Sequence, residues 1–398
     1  MGPTIMTTMT SRQRVLAALN HQEPDRVPVD IGGGTSTTLV VEAYDNLKRH
    51  LGLDLGETKT LSKIYRSARL DEAVMQRLGS DCYPLRGRSP ANWTPPPTEE
   101  GAFVDFWGVK WRQIYYRDNA FYWEVAQAPL AEASIDDLDR YPWPDPDDPG
   151  FVAGLADEAR TLHEDTDYAI EASCGFYSFF ETAYALRGYE QLFMDFIQNP
   201  DFVAALFDKL LEVNIAGTER FLGAAGLYVD VFRTADDLAA QNGLLMSPKM
   251  YRQFIKPVQE KYFAFVKSHT DAKILYHSDG NIVPLLDDLI GIGIDGINPV
   301  QPSAMGDLHE VKNRFGDRVT FWGAIDTHRV LPYGSVEEVC EEVRQRIREL
   351  GTGGGYVLSS VHSILVDVPP ENVLAMADAA REYGARYYGP HSKFEETK

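Results

Sequence analysis

Short β-branched and aromatic runs alternate with longer amphipathic runs along most of the chain. Eight of the short runs read as strands: Val27–Ile31, Asp81–Leu85, Asp167–Ala172, Leu227–Phe232, Lys273–His277, Ile294–Asn298, Val319–Gly323 and Tyr356–Ser359. Most lack a polar alternation, the pattern of strands buried on both faces of a parallel sheet. Helical runs lie between most of them. Asp201–Gly223 carries Val203, Leu206, Leu210, Leu211 and Ile215 at helical spacing. Ser247-Pro248 is a helix start, with a hydroxyl at the N-cap and proline at the first helical position. Ser335 to Glu338 is a capping box opening a helix to Leu350. Pro369-Pro370-Glu371 opens a last helix running to about Tyr383. The repeated strand–helix alternation predicts an α/β fold, a (β/α)8 TIM barrel. A doubly wound open sheet is the alternative.

The gap between the second and third strands is long and aromatic-rich. Gly101–Trp111 and Arg117–Ala126 alternate in part and predict a β-hairpin insertion, placed at about 86–150, in the position of a lid. Within it Trp107, Trp111, Tyr115, Tyr116, Phe121, Tyr122 and Trp123 read as the insertion's own core before they read as a substrate box. Residues 11–389 then form one barrel domain, flanked by a flexible start (1–10) and a charged, flexible tail (390–398).

Composition narrows the partners. Net charge is −21, so the surface repels phosphate backbones and anionic lipid. Nucleic acid and membrane are not expected partners, and no apolar run is long enough to span a bilayer. The first twelve residues lack the basic-then-apolar order of a signal peptide, which gives a cytoplasmic expectation. Cys82, Cys174 and Cys340 are isolated, so a disulfide framework or cysteine-rich zinc site is not expected.

A barrel gathers its chemistry at the C-terminal ends of its strands. Those ends carry Gly33 within Gly32-Gly33-Gly34, Ser173 and Tyr177, Asp236 and Asp237, His277 and Asp279, Asn298 and Gln301, Asp326, and finally His362. His277 and Asp279 are two apart, so both side chains can point the same way. Such a pair is half of a metal site or an acid–base pair. With His362 from beyond the last strand, the set His277, Asp279 and His362 suits zinc. A strand-end histidine satisfying a local hydrogen bond is the other reading. Asp236-Asp237 could equally cap the segment that follows, and the glycine run could be only a turn.

Ser11 to Leu19 leading into Pro24-Asp25-Arg26-Val27-Pro28, Asp236-Asp237-Leu238 with Gln241-Asn242-Gly243, His277-Ser278-Asp279-Gly280 through Asn298-Pro299-Val300-Gln301, Trp322 to Thr327, and Asp367 to Asn372 together resemble the uroporphyrinogen decarboxylase superfamily. The resemblance spans roughly residues 11–385. It implies the TIM barrel and two branches of activity. The decarboxylases need no cofactor, and bind the substrate's carboxylates with arginines after the first strand. No arginine follows Val27–Ile31 here, although their late histidine matches His362. The cobalamin-linked methyltransferases bind zinc through a His-x-Cys pair and a later Cys. Here those positions read His277, Asp279 and, nearby, His362.

The methyltransferase branch implies transfer of a methyl group from a small methyl ether or methylamine to a corrinoid carried on a partner protein. In that reading Asp237, His277, His362 and Tyr177 are catalytic. Gly33, Ser173, Asp236, Asn298, Gln301 and Asp326 contact substrate, and the superfamily's pairing habit implies a homodimer. Two alternatives stand beside it. One is a metal-free porphyrinogen-type decarboxylase using Asp237 or Asp279 with His362. The other is a non-catalytic binding partner of a corrinoid protein.

Overall fold

Seven parallel strands follow one another in sequence order around the sheet of the computed structural model, which describes residues 8–54, 56–117 and 120–388. They are β1 (Cys82–Arg86), β2 (Ala169–Ser173), β3 (Val231–Ala235), β4 (Lys273–His277), β5 (Gly296–Val300), β6 (Thr320–Ile325) and β7 (Tyr356–Ser360). The segment expected as the first strand, Val27–Ile31, lies between β7 and β1 and closes the ring. Asp30 N–H donates to Leu358 O and Leu358 N–H to Pro28 O, both at 2.9 Å, while Asp81 N–H donates to Val29 O at 2.7 Å. It forms only one bridge, Val29 with Leu358. The reason is chemical: Pro28 has no N–H, and the Val29 and Ile31 N–H groups donate to the Asp81 carboxylate and the Ser80 hydroxyl. The expected (β/α)8 barrel is the observed architecture.

Two strand expectations need correction. The run from Leu227 does not pair until Val231, because 226–228 form a 3-10 turn ending a long helix and Leu227 is 91% exposed. The Asp230 carboxylate, accepting the Ile170 N–H at 2.8 Å, marks where the strand begins. In the insertion, 101–111 is not one strand. A turn at Asp105–Gly108 breaks it, with Asp105 accepting the N–H groups of Trp107 and Val109 and the Trp111 indole N–H. The result is a three-stranded antiparallel sheet of Ala102–Val104, Lys110–Arg117 and Ala120–Gln127.

The helix signals hold. Ser335 and Glu338 form the reciprocal capping box on Val336–Leu350, and the Ser247 hydroxyl accepts the Met250 N–H. The long helix runs Pro200–Ala225 and the last one Pro370–Tyr388. At the start, Thr10 caps helix Ser11–Leu19. Residues 1–7 and 389–398, which include the expected tail at 390–398, lie outside the described residues.

The barrel interior is layered. Cys82, Ala169, Val231, Leu275, Trp322 and Val357 form an apolar lower layer, plugged from below by Val15, Ala18 and Leu19 of the first helix. Two residues further along β2, β3 and β4, side chains of the same face become Glu171, Arg233 and His277. This polar layer, fully or almost fully buried, is the floor of the site. Below the plug, the buried Asp81 carboxylate accepts from Ser11, Arg14, Arg26 and the Val29 N–H at 2.7–2.8 Å.

Candidate active site

Charges in the middle of a buried strand must be paired. Glu171 and Arg233 satisfy each other between neighbouring strands, with Arg233 Nε donating to Glu171 Oε1 at 2.5 Å. Arg233 Nη1 also donates to Asn298 Oδ1 at 2.9 Å and to the Ser36 hydroxyl at 3.0 Å. Burial pushes the nearby Asp30 carboxyl up to about 7, with Glu171 adding repulsion.

This lattice fixes the histidine. His277 Nδ1 lies 2.6 Å from Asn298 Oδ1. The guanidinium can only donate, so the atom of Asn298 facing it is the carbonyl oxygen, and Asn298 Nδ2 donates the other way, to Trp322 O at 3.2 Å. His277 must therefore carry its proton on Nδ1, leaving the Nε2 lone pair free toward the barrel mouth. Burial lowers the His277 pKa, against the raising pull of Asp279 and Asp237, which favours the neutral ring.

Nε2 of His277 meets Asp279 Oδ1 at 3.7 Å, and His362 Nε2 meets Asp279 Oδ2 at 3.9 Å. The two imidazole centroids are 5.7 Å apart. One ligand atom from each of the three residues lies within 4.8 Å of the others. Asp279 Oδ1 is buried without a hydrogen-bond partner. An orphaned carboxylate oxygen facing two imidazole nitrogens is the donor set a zinc ion fits.

Asp237 accepts the Asp279 N–H at 2.8 Å and so holds the loop carrying that carboxylate. Burial, then the Asp279 charge, raises its pKa. Asp237, His277 and His362 line a small cavity of about 40 Å³ with Tyr65, Tyr177 and Glu181. It adjoins a chamber of about 330 Å³ that shares Thr35, Tyr65, Tyr177 and Glu181. Insertion residues Phe106, Trp107, Val109 and Trp111 wall this chamber. Trp107 and Trp111 thus serve both readings of the aromatic set, while Tyr115, Tyr116 and Tyr122 are exposed.

The other expected contacts divide. Ser173 lines the chamber, and Asn298 acts through His277. Asp236 is saturated by Ser178, the Phe179 and Glu181 N–H groups, and Gln259, so it holds an earlier segment and not the one that follows it. Gln301 accepts the Gly280 N–H at 2.9 Å, holding a loop. Gly33 is packed shut: a Cβ there would lie 2.5 Å from the Cys82 Cβ. Asp326 lines a separate cleft with His328 and Glu342. Ser36 and Glu181 were not singled out from the sequence, while Arg86 and Arg233 stand at expected strand ends without an expected role in the site. Arg233 directly follows the expected strand Leu227–Phe232, and the observed strand Val231–Ala235 places it mid-strand. For Ser36 and Glu181, which sit on a loop and a helix, there was no sequence signal.

Residues 124–383 match the family described as Uroporphyrinogen decarboxylase (URO-D). The chain belongs to the uroporphyrinogen decarboxylase family. Within this family it is similar to a uroporphyrinogen decarboxylase of Pseudoalteromonas atlantica, 27% identical over 48% of this chain and 51% of that one. It is also similar to a methylcobamide:CoM methyltransferase of Methanosarcina barkeri, 30% identical over 45% of this chain and 50% of that one. The chain matches about half the length of each of these two relatives. Among solved structures, a methyltransferase from Methanosarcina mazei superimposes with a TM-score of 0.65 at 22% identity, over 94% of this chain and 99% of that one. That likeness establishes the fold. Family members include both methyltransferases and decarboxylases.

Proposed function

We propose that this chain is a methyltransferase, moving a methyl group from a small methyl ether or methylamine to a corrinoid carried on a partner protein. The observation that carries the reading is the triad His277, Asp279 and His362, with one imidazole lone pair freed by Asn298 and one carboxylate oxygen left without a partner. These three residues would hold zinc. Bound there, the ion supplies Lewis acidity toward a substrate oxygen or nitrogen.

The chain's own residues do the rest. Asn298 and Arg233 lock the His277 ring, and Asp237 fixes the Asp279 loop. Tyr177, at the junction of the two cavities, is placed to orient the donor with its hydroxyl. Phe106, Trp107 and Trp111 cover the chamber and reduce water around the reacting group. The chamber is at the small end of ligand pockets, which run about 300–1,000 Å³. That size supports a small donor over a tetrapyrrole.

The test is methyl transfer to reduced cobalamin, followed by the change in corrinoid absorption, with methyl ethers and methylamines as donors. Transfer from at least one donor class is the expected result. Carbon dioxide release from uroporphyrinogen without methyl transfer would establish the decarboxylase alternative. Capture of a corrinoid protein without transfer would establish a binding role. Asn298→Leu should leave the fold intact and weaken zinc affinity by about 10–100-fold, the usual effect of losing such a supporting hydrogen bond. A competition titration with a chromogenic chelator reads this directly, and unchanged affinity would refute the role given to Asn298.

A further inference from the structure

Arg86 ends β1 and lines the chamber. Its Nε and Nη2 are buried with no hydrogen-bond partner. Nη2 stands 3.8 Å from Glu171 Oε1, beyond hydrogen-bond reach, because that carboxylate is engaged by Arg233 at 2.5 Å. One glutamate thus faces two guanidinium groups. Asp30 is engaged elsewhere, accepting the Gly33 N–H and the Trp322 indole N–H. Burial and the Arg233 charge both act against the charged form of Arg86, which is the cost of a cation lacking an acceptor. Leaving buried donors unmade is expensive unless something supplies the oxygens.

The other charged groups around the chamber are committed or are shared with the small cavity. Asp105 is taken by Trp111 and two backbone N–H groups, and Arg88 pairs with Glu158. Glu181 borders the small cavity with Asp237, and burial together with Asp237 holds its carboxyl well above the usual range. The chamber therefore carries an unsatisfied guanidinium, and the small cavity that adjoins it carries the acidic groups and the imidazoles. Tyr65, Phe106, Trp107, Tyr177 and Tyr184 also line the chamber, and Tyr65 and Tyr177 are shared with the small cavity.

We infer that Arg86 is a specificity-determining anchor for a carboxylate on the substrate, so the molecule taken is a flat, aromatic acid whose carboxylate docks at Arg86 and whose far end reaches toward His277 and His362. Naming that far end as the methyl-bearing oxygen or nitrogen rests on the methyl-transfer reading; the anchor does not. A carboxylate pairs with a guanidinium through two parallel hydrogen bonds. A methoxylated aromatic acid satisfies both the guanidinium and the imidazole cavity, and its neutral amide satisfies only the second.

Calorimetric binding of para-methoxybenzoate and para-methoxybenzamide to the full chain, with Arg86→Met and Arg86→Lys beside wild type, tests this. Wild type should prefer the acid by roughly tenfold to a hundredfold, the worth of a hydrogen bond to a charged group. Arg86→Met should lose that preference while binding the amide as wild type does, and Arg86→Lys should keep part of it. Equal binding of acid and amide by wild type, or a preference that survives in Arg86→Met, would overturn the anchor. If Arg86→Met does not fold, the wild-type comparison and Arg86→Lys decide alone. Binding needs no turnover. Demethylation without charge preference would sink the anchor and leave the function standing. Tight acid binding without demethylation would do the reverse.

Discussion

Replacing His277 with alanine is expected to lower methyl-transfer turnover by about a thousandfold while leaving a folded barrel. Lewis-acid activation contributes several kcal/mol, and each tenfold in rate is about 1.4 kcal/mol. His277 is the most constrained of the three candidate ligands. It ends β4, its ring is almost buried, and Asn298 dictates which nitrogen carries the proton. Alanine removes the ligand and leaves Asn298 still bonded to Arg233 and Ser36, so the floor beneath it stays assembled. Steady-state assays beside a thermal melt separate the two effects. Turnover within about tenfold of wild type would remove His277 from the chemistry.

Asp81→Ala should have the largest effect on stability, about 3–5 kcal/mol, as expected when one partner of a buried ion pair is deleted. Its carboxylate sits on the pole opposite the site and takes both Arg14 and Arg26, with Ser11 and the Val29 N–H. Without it two guanidinium groups lose an acceptor, and the segment closing the ring between β7 and β1 loses a tie. Urea unfolding reads the loss as a lower midpoint. Because conservation of function at the far mouth does not depend on this pole, turnover per folded molecule should stay close to wild type. An Asp81→Ala protein as stable as wild type would contradict the closure described here.

The barrel was legible because buried parallel strands leave a simple mark: short apolar runs spaced by helices. The mark failed at Leu227, where an apolar run serves an exposed turn; at Val27–Ile31 it held, although side chains of Ser80 and Asp81 replace part of the ladder there. The convergence of His277, Asp279 and His362 was legible because all strand ends of a barrel open on one mouth. Asp236 was ambiguous, since a carboxylate after a strand can face a ligand or a neighbouring loop, and only the positions of the Phe179 and Glu181 N–H groups decide. Arg86 directly follows the expected strand Asp81–Leu85 but carried no expectation as a site residue. What distinguishes it is the absence of an acceptor, which depends on Arg233 having claimed Glu171 from the neighbouring strand.

The most direct measurement is elemental analysis of the full chain, purified without a chelating tag, beside His277→Ala. About one zinc per wild-type chain and a small fraction of that in the variant is the outcome required by a single tetrahedral-type site. A wild-type protein free of metal even after incubation with zinc, or equal zinc in both proteins, would contradict it.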